Sequence, residues 1–144
     1  MEKQFDVIFA QEFVIPGTLR IKKNSRRIIN VWQKRRGQKS RKIPKIIPSE
    51  AYIRWEKEAR ASLANELRVR GGNFFPISGP VWVEAVMYYS GQRFDLSGAL
   101  ESVGDAFEDY LWENDKQIVS WDGSRVEHDK SNPRTVLTVR ALRV

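Results

Sequence analysis

The chain has 144 residues, 41% of them hydrophobic and 30% charged, which suits one domain with a real core and excludes global disorder. It contains no Cys and one His, His128, so disulfides, thiolate metal sites and His-rich zinc sites are excluded. A formal net charge of +7 points to a polyanionic partner, nucleic acid ahead of a membrane surface.

In chain order, Phe5 to Ile15 reads as a strand ending at the Pro16-Gly17 turn. Arg26 to Trp32 reads as a second strand. Gly37 to Pro48, interrupted by Pro44 and Pro48, reads as a basic loop. Ser49 is placed as the N-cap of a helix in which Tyr52, Trp55, Ala59, Leu63 and Leu67 recur at helical spacing and Gly71-Gly72-Asn73 provides the stop. That aromatic stripe reads as core rather than as a base-stacking platform. Val81 to Tyr89 is β-branched or aromatic almost throughout and reads as a strand. A second helix is expected from about Ser97 to Trp112, with Val103, Phe107, Tyr110 and Leu111 on its apolar face. Short strands follow over Gln117–Trp121 and Ser124–Asp129, and Thr135–Leu142 closes the pattern. The expected architecture is α+β: a single domain over residues 1–144, with a mixed β-sheet and two main helices. No apolar run is long enough to span a bilayer and the N-terminus lacks a signal-peptide layout, so a cytoplasmic protein with no membrane partner is expected.

The charge is segregated. From Phe13 to Ser49 there are twelve basic residues and no acid; from Asp95 to Asp115 there are seven acids and no Lys or Arg. Within the basic block, Lys22, Lys23, Arg26, Arg27, Lys34, Arg35, Arg36, Lys39, Arg41 and Lys42 are candidates for phosphate contact. A like-charged run can also be a solvated loop. The interleaved Val31, Trp32, Ile43, Ile46 and Ile47 favour a structured, binding-coupled segment.

In the acidic block, Asp95 falls between a strand and a helix, Glu101 and Asp105 are four apart on the helix, and Asp115 lies beyond its exit. Taken one at a time, each has an ordinary reading as a cap or a solvated surface residue. Together, with no cation among them, they form a candidate metal group: Asp95, Glu101, Asp105 and Asp115. An oxygen-only set suits Mg²⁺, with Mn²⁺ as substitute, and such an ion serves phosphodiester hydrolysis. No small-molecule cofactor is expected.

The run from Phe94-Asp95-Leu96-Ser97-Gly98-Ala99-Leu100-Glu101 through Gly104-Asp105-Ala106 to Asn114-Asp115-Lys116-Gln117-Ile118 resembles the central signature of the RusA-type Holliday junction resolvases. Ile15-Pro16-Gly17 resembles that family's N-terminal strand and turn. Tyr52 with Trp55-Glu56 resembles its helix entry, and Lys130 resembles the Lys before its final strand. The resemblance implies a RusA-like fold and a Mg²⁺-dependent homodimer that binds branched DNA. Such a dimer nicks opposing strands of a four-way junction in DNA recombination and repair; many relatives are encoded by phages or prophages. It implies catalytic roles for Asp95, Asp115 and Lys130. The signature's second Asp is Ser97 here, its following Asn is Gly98, and its helix Lys is Glu101. One account is a swap, in which the carboxylate missing at Ser97 reappears one turn on at Glu101 and joins the catalytic set, with Lys116 or Lys130 supplying the lost cation. The competing account is a protein that binds junctions or DNA without cutting them. A third class, a small RNA-binding protein, lacks any stacking motif of the RNA-recognition kind.

Overall fold

The computed structural model describes residues 6–22, 26–34, 36–70 and 74–143, with only the backbone described at 26–28 and 45–48. Among these described residues, seven strands and two α-helices follow one another: β1 (Val7–Pro16), β2 (Arg26–Gln33), β3 (Arg41–Pro48), α1 (Glu50–Arg70), β4 (Val81–Tyr89), α2 (Leu96–Ala106), β5 (Ile118–Ser120), β6 (Arg125–His128) and β7 (Arg134–Leu142). A 3₁₀ turn, Asp115–Gln117, lies between α2 and β5.

The main sheet is mixed and runs β1-β7-β4-β5, with β6 also on β4. β7 is antiparallel to both β1 and β4, whereas β5 and β6 run parallel to β4. Parallel neighbours need a crossover, and α2 supplies it between β4 and β5. Alternation along the strands decides which face is covered. Phe13 and Ile15 of β1, Val81, Val83, Ala85 and Met87 of β4, and Leu137 and Val139 of β7 are all sealed from solvent. They meet Tyr52, Trp55, Ala59 and Leu63 from α1 and Ala99, Val103 and Ala106 from α2. The stripe read as core is core. On the other face, cross-strand pairs place the Arg140 guanidinium 4.4 Å from the Trp82 ring centre and that of Arg134 3.9 Å from Tyr88.

Residues 41–48, expected to be loop, form β3 instead, in an eight-pair antiparallel ribbon with β2 that, among the described residues, joins no other sheet. The prolines do not forbid this. Pro44 and Pro48 have the same parity, so both missing amides fall on one edge, and a ribbon of two strands leaves an outer edge unpaired. The second helix is also shorter than expected. It stops at Ala106, and Asp109 takes a φ of 70° in the turns that follow. The terminal carbonyls have tertiary partners: Arg60 donates to the Ala106 carbonyl at 2.7 Å and to that of Asp105 at 3.4 Å. The indole N–H of buried Trp112 donates to the Gly104 carbonyl at 3.0 Å. The apolar positions Phe107 and Leu111 are buried by these turns instead of by a further helical turn. Phe5 and the Gly71-Gly72-Asn73 stop lie outside the described residues. Among the described residues, no helix is long and apolar enough to cross a membrane.

Ser49 caps α1 as its position suggested, its hydroxyl accepting from the Tyr52 amide at 3.2 Å. Ser49→Ala is expected to cost about 1 kcal/mol of stability, measurable by urea denaturation, whereas Ser49→Asp should cost little.

Candidate active site and nucleic-acid interface

The six residues between β4 and α2 end at Asp95, which caps α2. Its carboxylate accepts from the Gly98 amide at 3.3 Å and from the Ser97 hydroxyl at 2.7 Å. Ser97, Leu100, Glu101 and Gly104 then follow one another up a single stripe of α2. Opposite them stand Asp115, Ile118 and Trp121, and the groove between has a volume of about 320 Å³. Glu101 and Asp115 are both solvent-exposed there.

Asp115 is held in place by its surroundings. Its amide donates to Glu108 Oε1 at 3.1 Å. The 3₁₀ turn that carries it is closed by a capping box, with Asn114 Oδ1 accepting from the Lys116 amide and Gln117 Oε1 accepting from the Asn114 amide. Gln117 also spends its side-chain N–H groups on the carbonyls of Ile77 at 2.6 Å and Gly79 at 2.9 Å. This pins the turn to the segment leading into β4. The Gln of the signature is therefore a positioning residue for Asp115.

The four carboxylates do not converge. Asp105, one turn beyond Glu101, turns to the far flank of α2, where Lys22 Nζ lies 3.4 Å from its Oδ2. The Lys22 amide beside it donates to buried Ser102 Oγ. Asp95 at the N-cap and Gly104 opposite Asp115 are separated by roughly 13 Å of helix rise. Among the described residues no group of three or more Asp, Glu, His or Cys side chains is placed to hold a metal ion. What the groove offers is two carboxylates and the Ser97 hydroxyl, all oxygen donors. That chemistry fits a hard cation that retains several of its waters.

Of the basic candidates, Lys34, Arg36, Lys39, Arg41 and Lys42 are exposed on the β2–β3 ribbon and its connecting turn. Lys22 is partly committed to Asp105 and lies 5.8 Å over the Tyr52 ring. Lys23, Arg35 and the side chains of Arg26 and Arg27 lie outside the described residues. Lys130 is exposed beyond β6, in a turn organised by Asp129, which accepts from Arg134 at 2.9 Å and from Ser131 at 3.0 Å. The Arg134 guanidinium holds the Asp129 carboxyl below its ordinary range. The Asp129 amide is bonded to the Tyr89 carbonyl, so Lys130 sits near the end of β4 from which the loop to Asp95 departs.

Sequence reasoning did not single out Arg93, and it counted Arg20 only as part of the basic block. Both line a cleft of about 450 Å³ that includes Asp95, between the segment after β1 and the one after β4. Their separation of more than seventy positions hides this in the sequence; the β1-β7-β4 strand order creates it. No family model matches the chain, and no curated protein matches it.

Gly104 forms the groove floor. A Cβ there would meet Asp115 at 3.7 Å and Ile118 and Trp121 at 3.9 Å, which is ordinary contact, whereas one at Gly98 would press on Ile21 at 3.1 Å. Gly104→Ala should therefore gain roughly 0.5–1 kcal/mol from helix propensity, and Gly98→Ala should not. Thermal melts of the two variants side by side check this; equal gains would show that Ile21 yields freely.

Proposed function

We propose that the chain is a metal-dependent, structure-selective endodeoxyribonuclease that nicks four-way DNA junctions, like the RusA-type resolvases its central segment resembles, and that it works as a homodimer. The observation that carries this is the facing of Glu101 and Asp115 across one groove, with Ser97 beside Glu101. It supports the account in which Glu101 stands in for a carboxylate at position 97. Glu101 and Asp115 would hold Mg²⁺ or Mn²⁺, which supplies water activation near neutral pH and charge neutralisation at the leaving oxygen. The chain's own residues do the rest. Asp95 fixes the Ser97 hydroxyl, and Gln117 and Glu108 fix Asp115. Arg20 and Arg93 line the approach beside Asp95 and draw a phosphate backbone in, and Lys130 and Lys116 are the cations nearest in the motif to a developing negative charge. The exposed cations of the ribbon add affinity with little sequence preference.

One specific observation favours a second reading, binding without cleavage. Two of the four candidate carboxylates already have partners within the fold, Asp105 with Lys22 and Asp95 with the start of α2. A labelled four-way junction separates the readings. Paired nicks are expected with Mg²⁺ or Mn²⁺. Asp115→Asn and Glu101→Gln should each lower the rate on the order of a thousandfold while junction binding persists. Asp95→Asn keeps a competent cap, so a loss of cleavage there would report on the site and not on the helix. Exposed Glu113→Gln should cut normally. A wild-type protein that binds junctions and never cuts with either ion leaves the second reading standing.

One groove per chain and two symmetric nick sites per junction call for two copies. Sedimentation is expected to give a dimer, free or on the junction; a monomer in both states would rule out paired nicking by this route.

A further inference from the structure

We infer that the β2–β3 ribbon is a stacking arm for unpaired nucleobases, with Trp32 as its platform. This rests on nucleic acid as the partner but not on cleavage. The strand register sorts the ribbon into two faces. Ile29, Val31 and Ile43 share one, and all are half-buried. Trp32 lies on the other, directly opposite Lys42 and beside the Asn30–Pro44 pair, and it is 69% exposed. The indole is thus on the same exposed side as Asn30, Lys42 and Pro44, opposite the side that carries Ile29, Val31 and Ile43. Lys42 Nζ sits 5.2 Å over its ring, which puts a cation beside the one large aromatic surface on that face.

Charge identifies the occupant. No acid occurs from Phe13 to Ser49, so a second copy of this surface would be repelled, whereas a polyanion is attracted. An indole next to Lys42, with Arg36 and Lys39 at the turn, combines a π-face with a track for phosphates, the pairing that single-strand binding uses. A continuous duplex offers it no base faces, because its bases stack on one another. A single strand or the branch point of a junction does. The ribbon could instead enter a major groove as a rigid two-stranded element, and the two modes make opposite demands on Trp32.

Fluorescence anisotropy with the full chain in EDTA, where no cleavage intervenes, decides between them. The probes are labelled oligothymidylate, a four-way junction and a blunt duplex. Trp32→Ala is expected to weaken oligothymidylate and junction binding about 5- to 150-fold and duplex binding by less than about twofold. Trp32→Phe should keep most of the affinity, since it keeps a π-face. Arg36→Ala should weaken all three probes and flatten the salt dependence. Equal losses on all three probes with Trp32→Ala, no loss on any, or a Trp32→Phe variant as weak as Trp32→Ala would overturn the stacking role while leaving the ribbon a DNA contact. A wild-type chain that binds none of the probes would overturn the nucleic-acid reading itself, and this inference with it.

Discussion

The parallel pairing of β5 on β4 is the constraint on which the candidate site depends. A strand can lie parallel to its predecessor only if the chain crosses back over the sheet, and α2 is that crossing. Its start is fixed by the Asp95 cap and its end by Arg60 and Trp112. The register that sets Ile118 against Val81 then brings the turn before β5 alongside the last part of α2. Asp115 therefore reaches Gly104 through a backbone pairing and not through any attraction between acidic side chains, which would repel one another.

The segregation of charge along the chain becomes, among the described residues, a segregation in space. The basic ribbon stands apart from the main sheet and the acidic residues follow α2 and its exit. Lys22 bridges the two through Asp105. The Lys22–Asp105 pair is partly exposed, so its direct contribution to stability is small. Its effect is on placement: with the Lys22 amide on Ser102, it ties the segment after β1 to the flank of α2. That holds Arg20 near the loop that carries Arg93 and Asp95. The cleft is thus lined by two cations, Arg20 and Arg93, together with the Asp95 carboxylate.

What the sequence disclosed, and what it withheld, follows from the range of the interactions. α1 was legible to the residue because its cap and its buried stripe are local signals, and β4 was legible because most of its positions are β-branched or aromatic. β3 was missed because proline argues against a strand only when its amide faces a partner, and which edge faces outward is settled by pairing with β2. The end of α2 was missed because the partners of its last carbonyls, Arg60 and Trp112, come from another helix and from a later turn. At the site, the acidic positions were visible, but periodicity put Glu101 and Asp105 on one face when they straddle it. Residues four apart differ by about 40° around a helix, enough for one to look into the groove and the other toward Lys22. The positioning work of Gln117 and the cleft residues Arg20 and Arg93 depend on tertiary neighbours that no spacing reveals.

The departures from the RusA-type signature acquire a physical sense in this geometry. With Ser at 97, where the signature has Asp, the Asp95 carboxylate accepts a hydrogen bond from the Ser97 hydroxyl and serves the helix start. Moving a carboxylate from position 97 to 101 carries it one turn up α2, about 6 Å of rise, toward the part of the helix that Asp115 faces. A pair of carboxylates across a solvated groove suits a hard cation that keeps much of its water. A Lys at 101 would have neutralised Asp115 across the same groove. Glu at 101 instead leaves two carboxylates on the groove, and on the proposed reading the positive charge that hydrolysis needs comes from outside α2.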